Sequence, residues 1–183
     1  MQPIAALLMM IFAASAHAYE VQQLDVVRHG NTYTLTLRAT VQASPAKVFA
    51  RLVNFSAMTD ITPLMSLVSV VPQGDGLRLT SNVQACVLGF CRTLHNVQHV
   101  RVRTMANGGE LLSETDPGVV SDFRNGRSRW AVSAQGQGAL IEFSTHTEPR
   151  LWLPPIIGPI AAEMRLREQA EQSVANLERL ARE

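Results

Sequence analysis

Hydrophobic and polar residues alternate through the middle of the chain, which predicts a sheet of antiparallel strands. Residues 33–43 show the clearest alternation, with Leu35 and Leu37 on one face and Thr34 and Thr36 on the other. Turn residues such as Gly and Asn separate later strands of similar pattern from one another. The later predicted strands cover residues 65–72, 77–87, 90–105, 110–116, 122–134 and 139–147.

Three segments interrupt this alternation and predict helices. Ser44 followed by Pro45 is typical of a helix start, because serine is a common cap and proline is tolerated in the first turn. A second short helix is predicted over residues 55–61. Residues 160–182 carry an apolar stripe flanked by charged residues, as in a long amphipathic helix. The order of strand, helix pair, six strands and long helix predicts a single α+β domain.

The N-terminal segment has a different character from the rest of the chain. Residues 4–14 are apolar without a break, a run shorter than the roughly 20 residues that a membrane span needs. The run ends in Ala16-His17-Ala18, a small-x-small pattern typical of signal-peptide cleavage, although no Lys or Arg precedes it. We therefore predict a signal peptide over residues 1–18 and a mature domain over residues 19–183, located in the periplasm or secreted. The alternative is an uncleaved membrane anchor.

Charge and composition narrow the range of partners. The formal net charge is +1, and the arginines of the strand region are scattered rather than clustered. Proteins that bind nucleic acids need clustered positive charge to displace counterions from phosphates. The sequence therefore does not indicate a nucleic-acid-binding protein.

The only two cysteines, Cys86 and Cys91, lie on either side of Leu88 and Gly89. A two-residue turn at Leu88 and Gly89 would place the cysteines opposite each other at a non-hydrogen-bonded position, where Cα atoms are about 4.5 Å apart. A disulfide can bridge that distance and would persist outside the cytoplasm. A redox switch is less consistent with the sequence because no C-x-x-C spacing occurs, and a zinc site would need more ligands.

Three stretches resemble the START-like, helix-grip superfamily. They read ATVQASPAKVFARLVNF (residues 39–55), NGRSRWAVSAQGQGALIEFSTHTEP (residues 125–149) and LPPIIGPIAAEMRLREQAEQSVANLERLA (residues 153–181). Within the superfamily they resemble the branch of polyketide cyclases/dehydrases and coenzyme-Q-binding proteins. The resemblance covers residues 33–182. It implies a curved sheet of about seven antiparallel strands around a long C-terminal helix, with a cavity for an apolar ligand between them.

The hairpin register predicts which side chains face such a cavity. Arg92, Asn96 and Gln98 fall on the apolar face, where a few polar groups commonly orient a ligand. Arg92 would suit a carboxylate or phosphate head group. The alternative is an exposed strand end, or a bulge that reverses the faces. The complete set of predicted ligand-binding residues is Phe90, Arg92, Leu94, Asn96, Gln98, Trp130 and Met164.

Residues 151–159 form an apolar, proline-rich segment directly before the long helix. One interpretation is a loop packed on its own core. The other is a gate at the cavity mouth that makes transient contact with a membrane, since exposed apolar patches mark interaction sites and tryptophan suits an interface. The predicted gate residues are Leu151, Trp152, Leu153, Ile156 and Ile157.

Catalytic and metal-binding patterns are weak. His95 and His99 share a strand face about 13 Å apart, too far to hold one ion. Glu142 lies on the more polar face of its strand, and no Ser-His-Asp or Cys-His arrangement is evident. We therefore predict no catalytic residue, no metal and no cofactor.

These observations favour a monomeric, exported binding protein that carries or sequesters a lipid, a quinone or a polyketide-like molecule. Two alternatives remain at this stage. One is a protein-interaction domain with a vestigial cavity, and the other is a cyclase or dehydratase on the same fold. The sequence leaves catalysis open and favours binding.

Overall fold

The structure, a computed structural model, describes residues 18–87 and 89–183. The predicted signal peptide lies outside the described residues except for Ala18. A 3-10 turn, Phe55–Ala57, precedes the second helix. In chain order the elements are β1 (Tyr19–His29), β2 (Thr32–Val41), α1 (Pro45–Leu52), α2 (Met58–Ile61), β3 (Met65–Gln73), β4 (Gly76–Val87), β5 (Phe90–Met105), β6 (Gly108–Thr115), β7 (Phe123–Gln135), β8 (Gly138–Pro149) and α3 (Ile157–Arg182).

The described strands form one antiparallel sheet in the order β1-β2-β8-β7-β6-β5-β4-β3. The strands after β2 follow one another across the sheet, and β8 returns to pair with β2. The described helices α1, α2 and α3 pack on the same face of the sheet, with α3 in contact with β1, β2 and both short helices. The predicted α+β architecture, an antiparallel sheet gripping a long C-terminal helix, is confirmed.

The sheet has eight strands among the described residues rather than about seven, because β1 was not predicted. A bulge between Val21 and Gln23 adds one residue to β1 relative to β2. As a result Val21, Leu24 and Val26 face the core together, although their spacing does not follow a period of two. The bulge therefore removed the alternation on which strand prediction depends.

Helix α1 begins at Pro45, as predicted, and buries Val48, Phe49 and Leu52 against the sheet. Ser44 occupies the cap position, but its side chain makes no capping hydrogen bond. The ring of Phe49 lies against Gly109 of β6, where any side chain would overlap it. A glycine at this position therefore allows α1 to approach the sheet closely.

The main hydrophobic core lies under the C-terminal half of α3. Ala170, Val174 and Leu177 of this helix pack with the residues of α1 and of β1, β2, β7 and β8. The apolar stripe of α3 continues toward its N-terminus through Ile160 and Met164, but these two side chains are exposed. The core thus fills one end of the space between sheet and helix. No helix in the described part of the chain is long and apolar enough to cross a membrane.

The β4–β5 hairpin has the predicted register, with Val87 opposite Phe90 and Cys86 opposite Cys91. A disulfide joins the two cysteines. Gly89 has a positive φ of 83°, which favours glycine in the turn, while Leu88 lies outside the described residues. The predicted disulfide is therefore present at the end of a long hairpin.

Candidate ligand cavity

A cavity with two adjoining lobes occupies the end of the sheet–helix interface that the core leaves open. The inner lobe, of about 260 Å³, lies between the inner face of the sheet and the helices α2 and α3. Small residues of α3, Ala170 and Ser173, leave room at its helical side. Most of its lining is aliphatic or aromatic, including Leu35, Leu79, Val100, Leu111 and Leu166.

An aromatic pair forms one wall of the inner lobe. Trp130 of β7 lies opposite Phe143 of β8, and their rings stack with centroids 4.0 Å apart and planes 21° from parallel. Both residues line the inner lobe. The pair therefore offers a flat apolar surface to a ligand.

A short row of hydrogen bonds crosses the sheet beside this wall. The side-chain amide of Gln98 on β5 donates to Ser113 Oγ on β6 over 3.3 Å. The hydroxyls of Ser113 and Ser128, on β6 and β7, are 2.6 Å apart. No charged residue is found among the described residues that line the inner lobe. Its polarity thus comes only from neutral amide and hydroxyl groups.

Asn96 of β5 adds an amide to the inner lobe and is only 7% exposed. In the part of the chain that the structure describes, its Oδ1 atom has no hydrogen-bond partner. The hydroxyl of Ser81, directly opposite on β4, and that of Thr115 on β6 are also buried without a partner. Of these three residues only Asn96 lines the inner lobe, so only Asn96 is a candidate contact for a ligand.

The outer lobe, of about 510 Å³, lies beneath the proline-rich segment before α3. It is bounded by this segment, by the turn between β1 and β2, and by the end of the β4–β5 hairpin. The two lobes adjoin, because Val83, Phe123 and Leu166 line both of them. Cys86, at the end of the β4–β5 hairpin, also borders the outer lobe.

The proline-rich segment carries apolar side chains at the mouth of the cavity. Leu151, Trp152, Leu153 and Ile156 line the outer lobe, yet Trp152 remains 75% exposed and Ile156 81% exposed. Ile156 also has a positive φ of 72°, which β-branched residues rarely adopt. Such strain is often found at functional sites. Ile157 is exposed at the start of α3 and lines neither lobe.

Among the described lining residues, charged groups occur at the outer lobe and not at the inner lobe. Arg28 and Arg165 line it, and each has an acidic partner, with Arg28 Nε 3.6 Å from Glu163 Oε1. Tyr33 lies next to Arg28, and its burial raises the pKa of the phenol, an effect that Arg28 partly opposes. The cavity thus changes from a charged mouth to a neutral interior.

The structure brings together four of the predicted ligand-binding residues at the cavity. Asn96, Gln98 and Trp130 line the inner lobe, and Leu94 lines the outer lobe. Phe143, Gln169 and Ser173 also line the cavity and were not predicted. Phe143 could have been found as the cross-strand partner of Trp130, whereas the two helical residues have no distinguishing pattern.

Three other predicted residues line neither lobe. The side chain of Arg92 is exposed near the hairpin end, with Nη2 4.0 Å from Asp122 Oδ1. Phe90 is 67% exposed beside the turn, and Met164 is 58% exposed on α3. The hairpin register is as expected, but the strand extends beyond the cavity. Arg92 therefore lies at an exposed strand end, which was the alternative to a position in the cavity. The structure gives no support for its predicted contact with a ligand head group.

His95, His99 and Glu142 lie on the outer face of the sheet. His99 Nε2 is 3.5 Å from Asp75 Oδ1, and Glu142 Oε1 is 3.5 Å from Arg38 Nη1. Within residues 18–87 and 89–183 no cluster of three or more His, Cys, Asp or Glu side chains is placed to hold a metal ion. The cavity therefore provides hydrophobic contact and neutral hydrogen bonding.

This fold is that of a START-like, helix-grip domain. Residues 32–182 match the family model described as polyketide cyclase / dehydrase and lipid transport. The chain therefore belongs to this family. No curated protein matches the sequence.

Solved structures with a similar fold come from several bacteria. A STAR-related lipid transfer protein from Xanthomonas axonopodis has a TM-score of 0.62 at 12% identity, covering 87% of this chain and 99% of that protein. The protein TTHA0849 from Thermus thermophilus has a TM-score of 0.60 at 16% identity, covering 81% and 96%. The Zhui aromatase/cyclase from Streptomyces sp. R1128 has a TM-score of 0.51 at 15% identity, covering 82% and 91%. At these identities the likeness shows the fold alone.

Proposed function

We propose that this protein is an exported carrier that binds or sequesters a lipid, a quinone or a polyketide-like molecule in its sheet–helix cavity. The observation that carries this proposal is the two-lobed cavity, which has a neutral, mostly apolar interior and a mouth where exposed apolar side chains lie beside ion-paired arginines. Ligand pockets of small molecules are typically about 300–1,000 Å³ and lined by apolar side chains with a few polar groups. The outer lobe alone falls within this range at about 510 Å³.

The cavity favours a carrier over a protein-interaction domain with a vestigial pocket. A vestigial pocket would be filled by side chains, whereas here Ala170 and Ser173 leave space beside the wall of Trp130. It also favours a carrier over a cyclase or dehydratase. Such an enzyme needs an acid or base beside the substrate, and the described lining of the inner lobe contains no carboxyl, imidazole, ammonium or phenol group.

Export is supported by two independent features. Residues 1–18 have the pattern of a signal peptide, which would leave Tyr19, the first residue of β1, as the mature N-terminus. The disulfide between Cys86 and Cys91 would persist in an oxidising compartment. The proposed location is the periplasm or the extracellular medium, and the proposed mature unit is a monomeric domain over residues 19–183.

The mouth is proposed to contact a membrane transiently while the ligand enters or leaves. Trp152 and Ile156 expose apolar surface beside the outer lobe, and Ile157, Ile160 and Met164 extend this surface along the start of α3. Tryptophan favours membrane–water interfaces because its apolar ring carries one polar N–H group. Contact through this surface would let an apolar ligand move without crossing water.

The test is native mass spectrometry of the mature protein purified from the periplasm, with organic extraction of any bound molecule. We expect an additional mass that corresponds to a lipid, a quinone or a polyketide-like molecule. The replacement Ala170→Phe should fill the inner lobe and reduce this adduct. Ala175→Phe, on the same helix but outside both lobes, is the matched control. A protein that stays free of ligand after incubation with a lipid extract would contradict the carrier proposal.

A further inference from the structure

The inner face of the sheet carries a row of polar side chains at the mouth of the cavity. Arg28, Tyr33 and Thr147 lie opposite one another on β1, β2 and β8. All three line the outer lobe, and Thr147 also lines the inner lobe. Gln169 of α3 likewise lines both lobes. The row of Arg28, Tyr33 and Thr147 therefore leads from the mouth to the junction between the two lobes.

Each member of this row has a hydrogen-bond donor that the described residues leave without a partner. Arg28 Nη1 donates to the backbone oxygen of Gly30 at 2.7 Å and its Nε lies 3.6 Å from Glu163 Oε1, which leaves Nη2 available. The hydroxyls of Tyr33 and Thr147 make no side-chain hydrogen bond within residues 18–87 and 89–183, and neither oxygen is among the fully buried ones. Burial raises the pKa of Tyr33, so its phenol stays protonated at neutral pH and can donate.

The charges at the cavity favour an anion over a cation. Arg28 and Arg165 are the charged residues in the described lining of the two lobes, which contains no carboxylate. Their partners Glu163 and Glu168 lie outside the lobes, and ion pairs as exposed as these contribute little. A guanidinium group has several N–H donors, so it can bind a second anion while its first ion pair persists. A carboxylate or phosphate would receive charge-assisted hydrogen bonds here, whereas an amine would meet only positive charge.

The position of the row determines how an amphiphile would lie in the cavity. Phe143 lies on the same face of β8 as Thr147, about 13 Å deeper at roughly 3.3 Å per residue, a distance that a chain of about ten carbons spans. The side chain of Arg28 is 38% exposed, so a head group beside it keeps contact with water. An anion at the mouth thus avoids the cost of full burial, which it would pay in the uncharged inner lobe.

We propose that the cavity selects an acidic amphiphile whose carboxylate or phosphate head group binds Arg28 and Tyr33 at the mouth, with its apolar tail against Trp130 and Phe143. This inference deepens the carrier function proposed above and rests on it. It narrows the ligand class to acidic lipids and assigns recognition of the head group to the first two strands of the sheet.

The test compares probes that share a decyl chain, namely decanoate, decyl phosphate, 1-decanol and decylammonium at pH 7.5. The chain has two tryptophans, so Trp152→Phe leaves Trp130 as the only tryptophan, inside the inner lobe. Its emission then reports on occupancy as each probe is added. We expect one or both anions to bind about tenfold more tightly than 1-decanol, a gain that hydrogen bonds to a charged group provide. Decylammonium should bind most weakly, and the tighter of the two anions identifies the head group as a carboxylate or a phosphate.

The decisive variant is Arg28→Gln in the same background. It should reduce the preference for the anion over 1-decanol to less than about threefold, because the charge-assisted hydrogen bond is lost. Arg38→Gln is the matched control. Arg38 makes a similar ion pair, 3.5 Å from Glu142, but lies on the outer face of the sheet and lines neither lobe. This control removes the same charge and should keep the preference of the parent.

A second variant separates the contact with Arg28 from the negative charge that Arg28→Gln leaves behind at Glu163. The double variant Arg28→Gln, Glu163→Gln has the same net charge as the parent and should still lack the preference. Tyr33→Phe should weaken binding of the anion several-fold and leave 1-decanol unaffected. Recovery of the preference in the double variant, or equal binding of the anions and 1-decanol by the parent, would overturn the inference and leave the carrier function standing. Failure of every probe to bind the parent would instead count against the carrier function itself.

Discussion

Trp130 and Phe143 lie opposite each other on β7 and β8, and their rings stack with centroids 4.0 Å apart on the inner face of the sheet. Each ring packs against the hydrophobic core on one side and lines the inner lobe on another. The pair therefore links the packing of the core to the shape of the cavity.

Removing one ring should change both properties. We expect Phe143→Ala to lower the free energy of unfolding by about 3 kcal/mol, because it deletes a large packed side chain. It should also shift the emission of Trp130 to longer wavelength, since water gains access to the indole. Urea denaturation followed by fluorescence measures both effects in a Trp152→Phe variant, which keeps Trp130 as its only tryptophan. Phe143→Leu is the control, and an unshifted emission in Phe143→Ala would mean that the inner lobe excludes water without Phe143.

The disulfide between Cys86 and Cys91 should stabilise the hairpin end beside the outer lobe. Closing so short a loop contributes about 2 kcal/mol in the chain-entropy model. We therefore expect the double variant Cys86→Ser, Cys91→Ser to melt several degrees lower than the oxidised protein. Reduction of the parent should produce the same decrease, and intact mass should rise by about 2 Da. A melting temperature that does not respond to reductant would exclude this stabilising role.

The sequence predicted most of the fold because the relevant signals are local. The alternation in residues 33–43 and the Ser44-Pro45 start gave β2 and α1, and the paired cysteines fixed the register of β4 and β5. Strand β1 was missed because its bulge shifts the phase of its apolar residues. A bulge depends on the partner strand and leaves little trace in one sequence.

The cavity was harder to predict than the sheet. The register correctly placed Asn96 and Gln98 on the inner face, but it gave the same face to Arg92, which is exposed. The face of the sheet on which a strand residue lies follows from the alternation of apolar and polar residues. Where the cavity ends depends instead on how far α3 extends over the sheet. Residues on α3 such as Gln169 line the cavity through this long-range packing, which no local pattern encodes.

The exposed side chain of Trp152 should control contact with membranes. We expect Trp152→Ser to reduce co-sedimentation with neutral phosphatidylcholine liposomes by several-fold, because an indole at the interface is lost. The fold should be unaffected, since the side chain is largely exposed. Val68→Ser, an exposed apolar residue of β3 that lines neither lobe, is the control. Equal co-sedimentation of parent and Trp152→Ser would argue against the membrane-contact proposal.

Asp116 should make stability depend on acidic pH. Its carboxylate accepts hydrogen bonds from the backbone N–H of Gly118 at 2.9 Å, and from Gln73 and Arg78 at 3.3 and 3.1 Å. The Gly118 hydrogen bond, with those from Gln73 and Arg78, holds the pKa of Asp116 below its usual value, against the opposing effect of burial. A lowered pKa in the folded state means that this stabilisation is present above about pH 4, the unfolded pKa. It is lost as the pH falls through the lowered folded pKa.

This pH dependence can be isolated with Asp116→Asn. The variant should be less stable at pH 7 by about 2 kcal/mol, because the charged hydrogen bonds are weakened. Its stability should also fall less steeply than that of the parent between pH 5 and pH 2. Chemical denaturation across this range measures both slopes. Parallel pH profiles for the two proteins would show that Asp116 does not contribute to acid sensitivity.

The buried carboxylate of Glu178 should fasten α3 to the junction between β2 and α1. Its Oε2 accepts the backbone N–H of Ala43 at 2.9 Å, and its Oε1 is 3.6 Å from Arg182 Nη1. We expect Glu178→Leu to lower the free energy of unfolding by about 2 kcal/mol, because Ala43 N–H is then buried without a partner. Glu178→Gln keeps an acceptor and should cost less. Urea denaturation measures both, with Glu171→Leu as a control at an exposed site on the same helix. Equal losses for Glu178→Gln and Glu178→Leu would show that the negative charge, and not the hydrogen bond to Ala43, is what stabilises the junction.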